Sequence, residues 1–209
     1  MDVHAVIPLK DLSQGKARLS GALDAARRTA LIEIMLEHVA SVLTRTPGIT
    51  QVYVLTSKNI RLSIEYNYIF DLNLDLDAAV ALAADELRAR GARGMLLAVH
   101  ADLPFITTEE TGALVAACER DALVVAPDAA GTGTNALAFP LSSAVRSRYG
   151  PGSFDAHAEV ARATHLPLKI VRRPGLAEDI DEPAQLAGLS ERGGAPYAFL
   201  RTALPMRGR

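Results

Sequence analysis

The chain has a single cysteine, no surplus of positive charge and no long apolar run, and each shortage removes a class of function. Cys118 on its own forms neither an internal disulfide nor a cysteine-based metal cluster, so a reducing compartment fits and the side chain reads as a small buried hydrophobe. Lys and Arg total 22 against 24 Asp and Glu, a net of −2 with histidines neutral. That balance provides no global basic field for nucleic acid, and any phosphate must be held locally. No stretch approaches the roughly 20 apolar residues of a membrane helix. Asp102 interrupts the run from Met95, and Pro127-Asp128 ends the run from Ala122. The opening Met1-Asp2-Val3-His4-Ala5-Val6-Ile7-Pro8 enters an apolar strand at once, without a basic region and a cleavable small-residue site. A cytoplasmic protein with neither membrane nor nucleic-acid partner is expected.

What is present is enough for one core. Of 209 residues, 49% are apolar and 22% charged, which predicts one domain over 1–190 and a poorly anchored basic tail over 191–209. Apolar runs predict strands at 4–9, 51–56, 95–99, 122–126, 135–139 and 168–172. Alternation of Ile64, Tyr66, Tyr68 and Phe70 suggests a further, half-buried strand near the sheet's edge. Helical spacing of Leu31, Ile34, Met35, His38, Val39 and Val42 predicts a helix over 23–43, stopped by Pro47-Gly48. Further helices are predicted at 77–89, from Thr107 or Thr108, at 154–164 and at 182–189. Strands alternating with helices predict a three-layer α/β/α domain on a mostly parallel sheet.

In such sheets ligands gather where strands end, and four clusters fall there. Pro8-Leu9-Lys10 through Gly15-Lys16-Ala17-Arg18 offers cations and free amides to a triphosphate, or is a solvated basic turn; it lacks the Gly-Lys-Ser/Thr ending of a Walker loop. Asp102-Leu103-Pro104 follows the strand from Met95 and either holds magnesium or caps a turn. Asp179-Ile180-Asp181 presents alternating carboxylates before Glu182-Pro183, with a plain helix cap at Asp181 as the bland alternative. Acid pairs near turns are common, but two-metal phosphoryl chemistry needs oxygen ligands converging from separate strands, as these three aspartates could. The fourth cluster joins Gly131-Thr132-Gly133-Thr134-Asn135 to Tyr149-Gly150-Pro151-Gly152-Ser153-Phe154, two turns suited to an anion or simply two tight turns with a Ser cap. The histidines read as packing residues, and His100 has no companion in metal-ligand spacing.

Taken in order, Ile7-Pro8-Leu9-Lys10, Lys16-Ala17-Arg18-Leu19, Ala101-Asp102-Leu103-Pro104, Gly131-Thr132-Gly133-Thr134-Asn135-Ala136-Leu137, Gly150-Pro151-Gly152-Ser153-Phe154 with His157, and Asp179-Ile180-Asp181-Glu182-Pro183 resemble one family. It is the phospholactate guanylyltransferase family (CofC/FbiD) of coenzyme F(420) biosynthesis, and the resemblance runs to about Leu189. The two glycine-rich turns are its specific part; the acidic motifs also suit the broader MobA-like nucleotidyltransferases. The resemblance implies a Rossmann-like, GT-A-like fold that transfers GMP from GTP to 2-phospholactate, phosphoenolpyruvate or 3-phosphoglycerate and releases pyrophosphate. It implies magnesium on Asp102, Asp179 and Asp181, and the phosphoacid on Thr134, Asn135, Gly150 and Ser153. The nucleotide is expected on Pro8, Leu9, Lys10, Lys16 and Asp77, with Asp102, Lys16 and Arg18 as catalytic groups. A downstream transferase that takes the labile product is an expected partner, and a homodimer is an allowed assembly. The chain departs from the family where Asp75-Leu76-Asp77 replaces Gly-Leu-Asn, putting a carboxylate near the base or ribose, and where 59–74 lacks an Ala- and Gly-rich helix. Two rivals stay open: a molybdopterin or sugar-phosphate nucleotidyltransferase, and a non-catalytic nucleotide-binding module.

Overall fold

A computed structural model describes residues 1–9, 16–57, 66–70, 74–119 and 121–203. Strands β1 (Val3–Leu9), β2 (Ile49–Thr56), β3 (Asn67–Phe70), β4 (Met95–Val99), β5 (Leu123–Pro127), β6 (Thr134–Pro140) and β7 (Leu168–Ile170) form one sheet. Its order is β3-β2-β1-β4-β6-β5-β7. The pairs are parallel except that β6 runs antiparallel to both β4 and β5. Helices α1 (Ala25–Arg45), α2 (Leu76–Ala89), α3 (Thr108–Ala117), α4 (Ser153–Ala163), α5 (Pro174–Ala177), α6 (Pro183–Arg192) and α7 (Leu200–Ala203) complete the layers, with short 3-10 turns at Ala17–Gly21 and Ala195–Tyr197.

Side chains that alternate along a strand divide the interior into two cores. Val3, Ala5, Ile7 and Leu9 of β1 meet Leu36, Val39 and Leu43 of α1 and Leu114 of α3. Val6 points the other way, into a core with Val80, Ala83 and Leu87 of α2 and Ala161 of α4. The sheet is therefore apolar on both faces, which is why β4 and β5 are continuous apolar runs buried at every residue. Each large side chain so buried contributes about 1.5–3 kcal/mol.

A third core departs from the expected tail. Tyr197 and Leu200, 3% and 0% exposed, pack with Leu19, Leu23, Leu31, Met35 and Ile180. The chain after 190 thus stays anchored through Leu200, because two isolated apolar residues find the end of α1 and the segment that follows β1. The expected strand around 64–70 is the edge strand β3 over Asn67–Phe70, while Ile64 and most of 59–74 lie outside the described residues. Burial pushes the Cys118 thiol up to about 12, in keeping with its expected role as a hydrophobe. Among the described residues, no helix is long and apolar enough to cross a membrane.

Candidate active site

Strands β1 and β4 lie side by side, yet the chain leaves β1 toward β2 and β3 and leaves β4 toward β6, β5 and β7. Their carboxyl ends diverge and open a crevice at this switch of direction. A cleft of about 420 Å³ occupies it, lined by Pro8 and Leu9 from the end of β1, Lys16 and Arg18 from the turn beyond, and Asp102 and Asp181.

Three carboxylates converge here from distant parts of the chain. Asp102 sits just past β4, and its carbonyl accepts a hydrogen bond from the Ile180 amide at 3.2 Å, which ties the later acidic segment to the rim. Upstream of that segment, the Asn135 amide donates to the Leu176 carbonyl at 3.0 Å, and Glu110 accepts the Gly175 amide at 2.7 Å. Downstream, the Gln185 side chain accepts the amides of Asp181 and Glu182 and donates to the Asp179 carbonyl, each at 2.7 Å. One carboxylate oxygen each from Asp102, Asp179 and Asp181 lies within 4.8 Å of the others.

Lys16 closes the cluster electrostatically. Its ammonium donates to Asp102 Oδ2 and, at 2.6 Å, to Asp181 Oδ1. The backbone of Lys16 is left-handed, φ 55° and ψ 40°, an uncommon state for a residue with a Cβ that tends to persist where surrounding structure fixes it. Burial by itself lowers the Lys16 pKa, but the charges of Asp102 and Asp181 overrule it and hold it above its ordinary value. Burial raises Asp102, and Lys16 followed by His100 more than reverses this, leaving the carboxyl below its ordinary value. Asp179 is pushed up, by burial first and then by the charges of Asp102 and Asp181. Arg18 is the loosest member: its side chain is 73% exposed and stands 3.9 Å from Asp181.

The two glycine-rich turns meet beside this cluster. Thr134 and Asn135 open β6, and Ser153 opens α4 behind Gly152, whose φ of +74° suits a residue without a Cβ. The Phe154 amide donates to the Thr132 carbonyl at 3.0 Å, joining the turns directly. The His157 ring joins them again, facing Thr134 Oγ1 through Nδ1 at 3.0 Å and the Arg148 amide through Nε2 at 3.0 Å. Tyr149 lies between His157 and His100, with ring centroids 5.1 and 5.4 Å away. The amide of His100 donates to the Asn135 carbonyl.

Of the residues expected from sequence, Pro8, Leu9, Lys16, Arg18, Asp102 and Asp181 share the cleft. Thr134, Gly150 and Ser153 lie on the neighbouring turns. Asn135 directs its side chain at the segment carrying Asp179. Asp77, expected near the base or ribose, accepts the Tyr149 amide at 2.9 Å with one carboxylate oxygen. Lys10 lies outside the described residues. His157 went unassigned from sequence beyond packing; its place one helical turn after Ser153 was the available signal. Glu110 and Gln185 gave none beyond capping chemistry, since their partners lie in another element or in the loop just before their helix.

A family profile described as "Guanylyl transferase CofC like" matches residues 3–202. A phosphoenolpyruvate guanylyltransferase of Sphaerobacter thermophilus is 36% identical over 200 residues, covering 94% of this chain and 95% of that protein. Another of that name from Rubrobacter xylanophilus is 36% identical over 207 residues, covering 94% and 98%. Among solved structures, a nucleotide-diphospho-sugar transferase-like protein of Desulfovibrio desulfuricans G20 superposes with a TM-score of 0.77 at 14% identity, covering 96% of this chain and 94% of that one. A nucleotidyl transferase of Methanothermobacter superposes at 0.60 and 14%, covering 96% and 98%. At these identities the structural likeness establishes the Rossmann-like nucleotidyltransferase fold.

Proposed function

The chain belongs to the CofC-like guanylyl transferase family, and on that premise we propose that it joins GMP from GTP to phosphoenolpyruvate in coenzyme F(420) biosynthesis. It is a guanylyltransferase. The acceptor is assigned from the relatives' names and from two adjacent turns rich in glycine and hydroxyl groups, which suit a small phosphorylated acid better than a bulky sugar or pterin. The observation that carries the reading is the meeting of Asp102, Asp179, Asp181 and Lys16 where β1 and β4 diverge.

The donor set fits a divalent cation. Three carboxylate oxygens lie within one coordination-sized space, and Asp102 Oδ1 is buried without a hydrogen-bond partner among the described residues. Hard cations take such oxygen ligands. Asp102, Asp179 and Asp181 would hold magnesium, which when bound supplies positive charge to the phosphate oxygens.

The chain's own groups do the rest. The acceptor's phosphate arrives ionised, so its oxygen attacks the α-phosphorus without a general base. The new P–O bond forms as the bond to the β-phosphate oxygen breaks, and pyrophosphate departs. Pro8 and Leu9 wall the nucleotide side, Lys16 and Arg18 face the departing pyrophosphate, and Thr134, Gly150 and Ser153 hold the acceptor. Asn135 keeps the segment of Asp179 in place. Catalysis then rests on positioning and charge neutralisation, with no covalent intermediate. The product keeps a diphosphate linkage and passes to a downstream transferase.

Mass spectrometry of products formed from the four ribonucleoside triphosphates mixed with phosphoenolpyruvate, phospholactate and phosphoglycerate, with magnesium, tests this. GMP joined to phosphoenolpyruvate is expected. A product carrying another nucleotide or another acid overturns the assignment.

A further inference from the structure

One imidazole touches both turns assigned to the acceptor, and the hydrogen bonds around it fix which of its nitrogens carries the proton. His157 is fully buried. Its Nε2 stands 3.0 Å from the Arg148 amide, and an amide N–H can only donate, so Nε2 presents its lone pair. A neutral imidazole then keeps its proton on Nδ1, which faces Thr134 Oγ1 at 3.0 Å. Burial lowers the His157 pKa to about 4, against a raising effect of Asp77 and lowering effects of His100 and Arg148, so the neutral ring persists at neutral pH. A hydroxyl that accepts from Nδ1–H has its own hydrogen left to donate. Thr134 is buried in turn, and among the described residues His157 is the one partner of its hydroxyl.

The same ring restrains the loop that carries Gly150. Nε2 holds the Arg148 amide and Asp77 Oδ1 holds the Tyr149 amide, so two successive backbone groups are fixed just ahead of the glycine. Tyr149 stacks edge-on against His157, at an interplanar angle of 79°, which limits rotation of the imidazole.

We propose that His157 is a positioning residue for the acceptor: held as the Nδ1–H tautomer, it aims the Thr134 hydroxyl proton at an anionic oxygen of a small phosphorylated acid and fixes the Gly150 loop opposite. This rests on the reading that Thr134 and Gly150 face the acceptor.

Steady-state kinetics with each substrate varied, on His157→Leu, His157→Asn, Thr134→Val and the Thr134→Val/His157→Leu double variant, tests it. Asparagine can place an N–H near the position of Nδ1, whereas leucine offers neither bond. His157→Leu is expected to raise the KM for the acceptor about ten- to a hundredfold, the effect of one hydrogen bond to a charged group, with the KM for GTP within about twofold. His157→Asn should recover most of that loss, and the double variant should be hardly worse than Thr134→Val. An unchanged acceptor KM in Thr134→Val sinks the acceptor reading itself. A raised one in Thr134→Val without a raised one in His157→Leu overturns the positioning role alone. Equal losses toward both substrates, with additive effects in the double variant, also overturn it. If the leucine variant does not fold, 15N NMR of the parent still decides: a proton on Nε2 at neutral pH refutes the proposal.

Discussion

Replacing the Asp102 carboxylate by an amide keeps its size and removes a charge that Lys16 and the proposed cation both need. Asp102→Asn should lower turnover by about a hundredfold or more, the scale of losing one preorganised electrostatic contact, while thermal melting moves little because Lys16 keeps Asp181. Pyrophosphate release measured with magnesium and GTP checks this; near-parental turnover would remove Asp102 from catalysis. His157 gives a stability effect of definite sign. Its folded value of about 4 lies below its ordinary 6.5, so the unfolded chain takes up a proton first as pH falls. Stability is complete above about 6.5 and declines as pH drops toward about 4, by about 3 kcal/mol at 1.36 kcal/mol per unit. Urea midpoints at pH 7 and 4.5 should therefore fall further for the parent than for His157→Asn. The acidic residues were legible in sequence because each follows a strand or precedes a helix. Their pairing with Lys16 was not, since the partners lie 86 and 165 positions away and no local pattern encodes such a meeting.

Among the elements, α5 is the one whose small size hides its importance. Four residues long, it carries the chain to Asp179, and Gly175 within it touches Glu110 and the Phe105 carbonyl so closely that a Cβ would collide with both. Gly175→Ala should cost about 2 kcal/mol as overpacking, some 4–8 °C in melting temperature for a chain of this size. It should also weaken magnesium binding, because Asp179 and Asp181 follow directly; calorimetric titration with the metal would show an unchanged affinity if α5 merely fills space. Most elements could be read from sequence. The run over 95–99 coincides with β4, bounded by Gly94 and His100, because a strand buried on both faces is apolar throughout. The direction of β6 was not read. The signal existed: the turn over 128–133 is too short for the crossover that parallel strands require. Neither α5 nor α7 has enough residues to show a helical period.

At the scale of the molecule, the third core links parts that the sequence keeps apart. Leu19 follows Lys16 closely, Ile180 separates Asp179 from Asp181, and both pack with Tyr197 and Leu200. Leu200→Ala, which leaves a cavity there, should cost about 2–5 kcal/mol and lower turnover at temperatures where the variant remains folded. A parental melting curve would show that the C-terminal elements lend nothing to the fold. The loose tail expected from sequence failed for a reason of scale, since two apolar residues form no pattern until α1 is in place to receive them.

Because β6 reverses, the connection from β5 overhangs the same rim at which β1 and β4 end. Its tip is tied on both sides: the Ala129 amide donates to the Ala177 carbonyl of α5, and the Thr132 carbonyl accepts the Phe154 amide of α4. The hairpin is therefore a mechanical bridge between the turn before α4 and the segment that leads to Asp179, so a lineage that edits this tip alters the acceptor side and the acidic cluster together rather than one at a time.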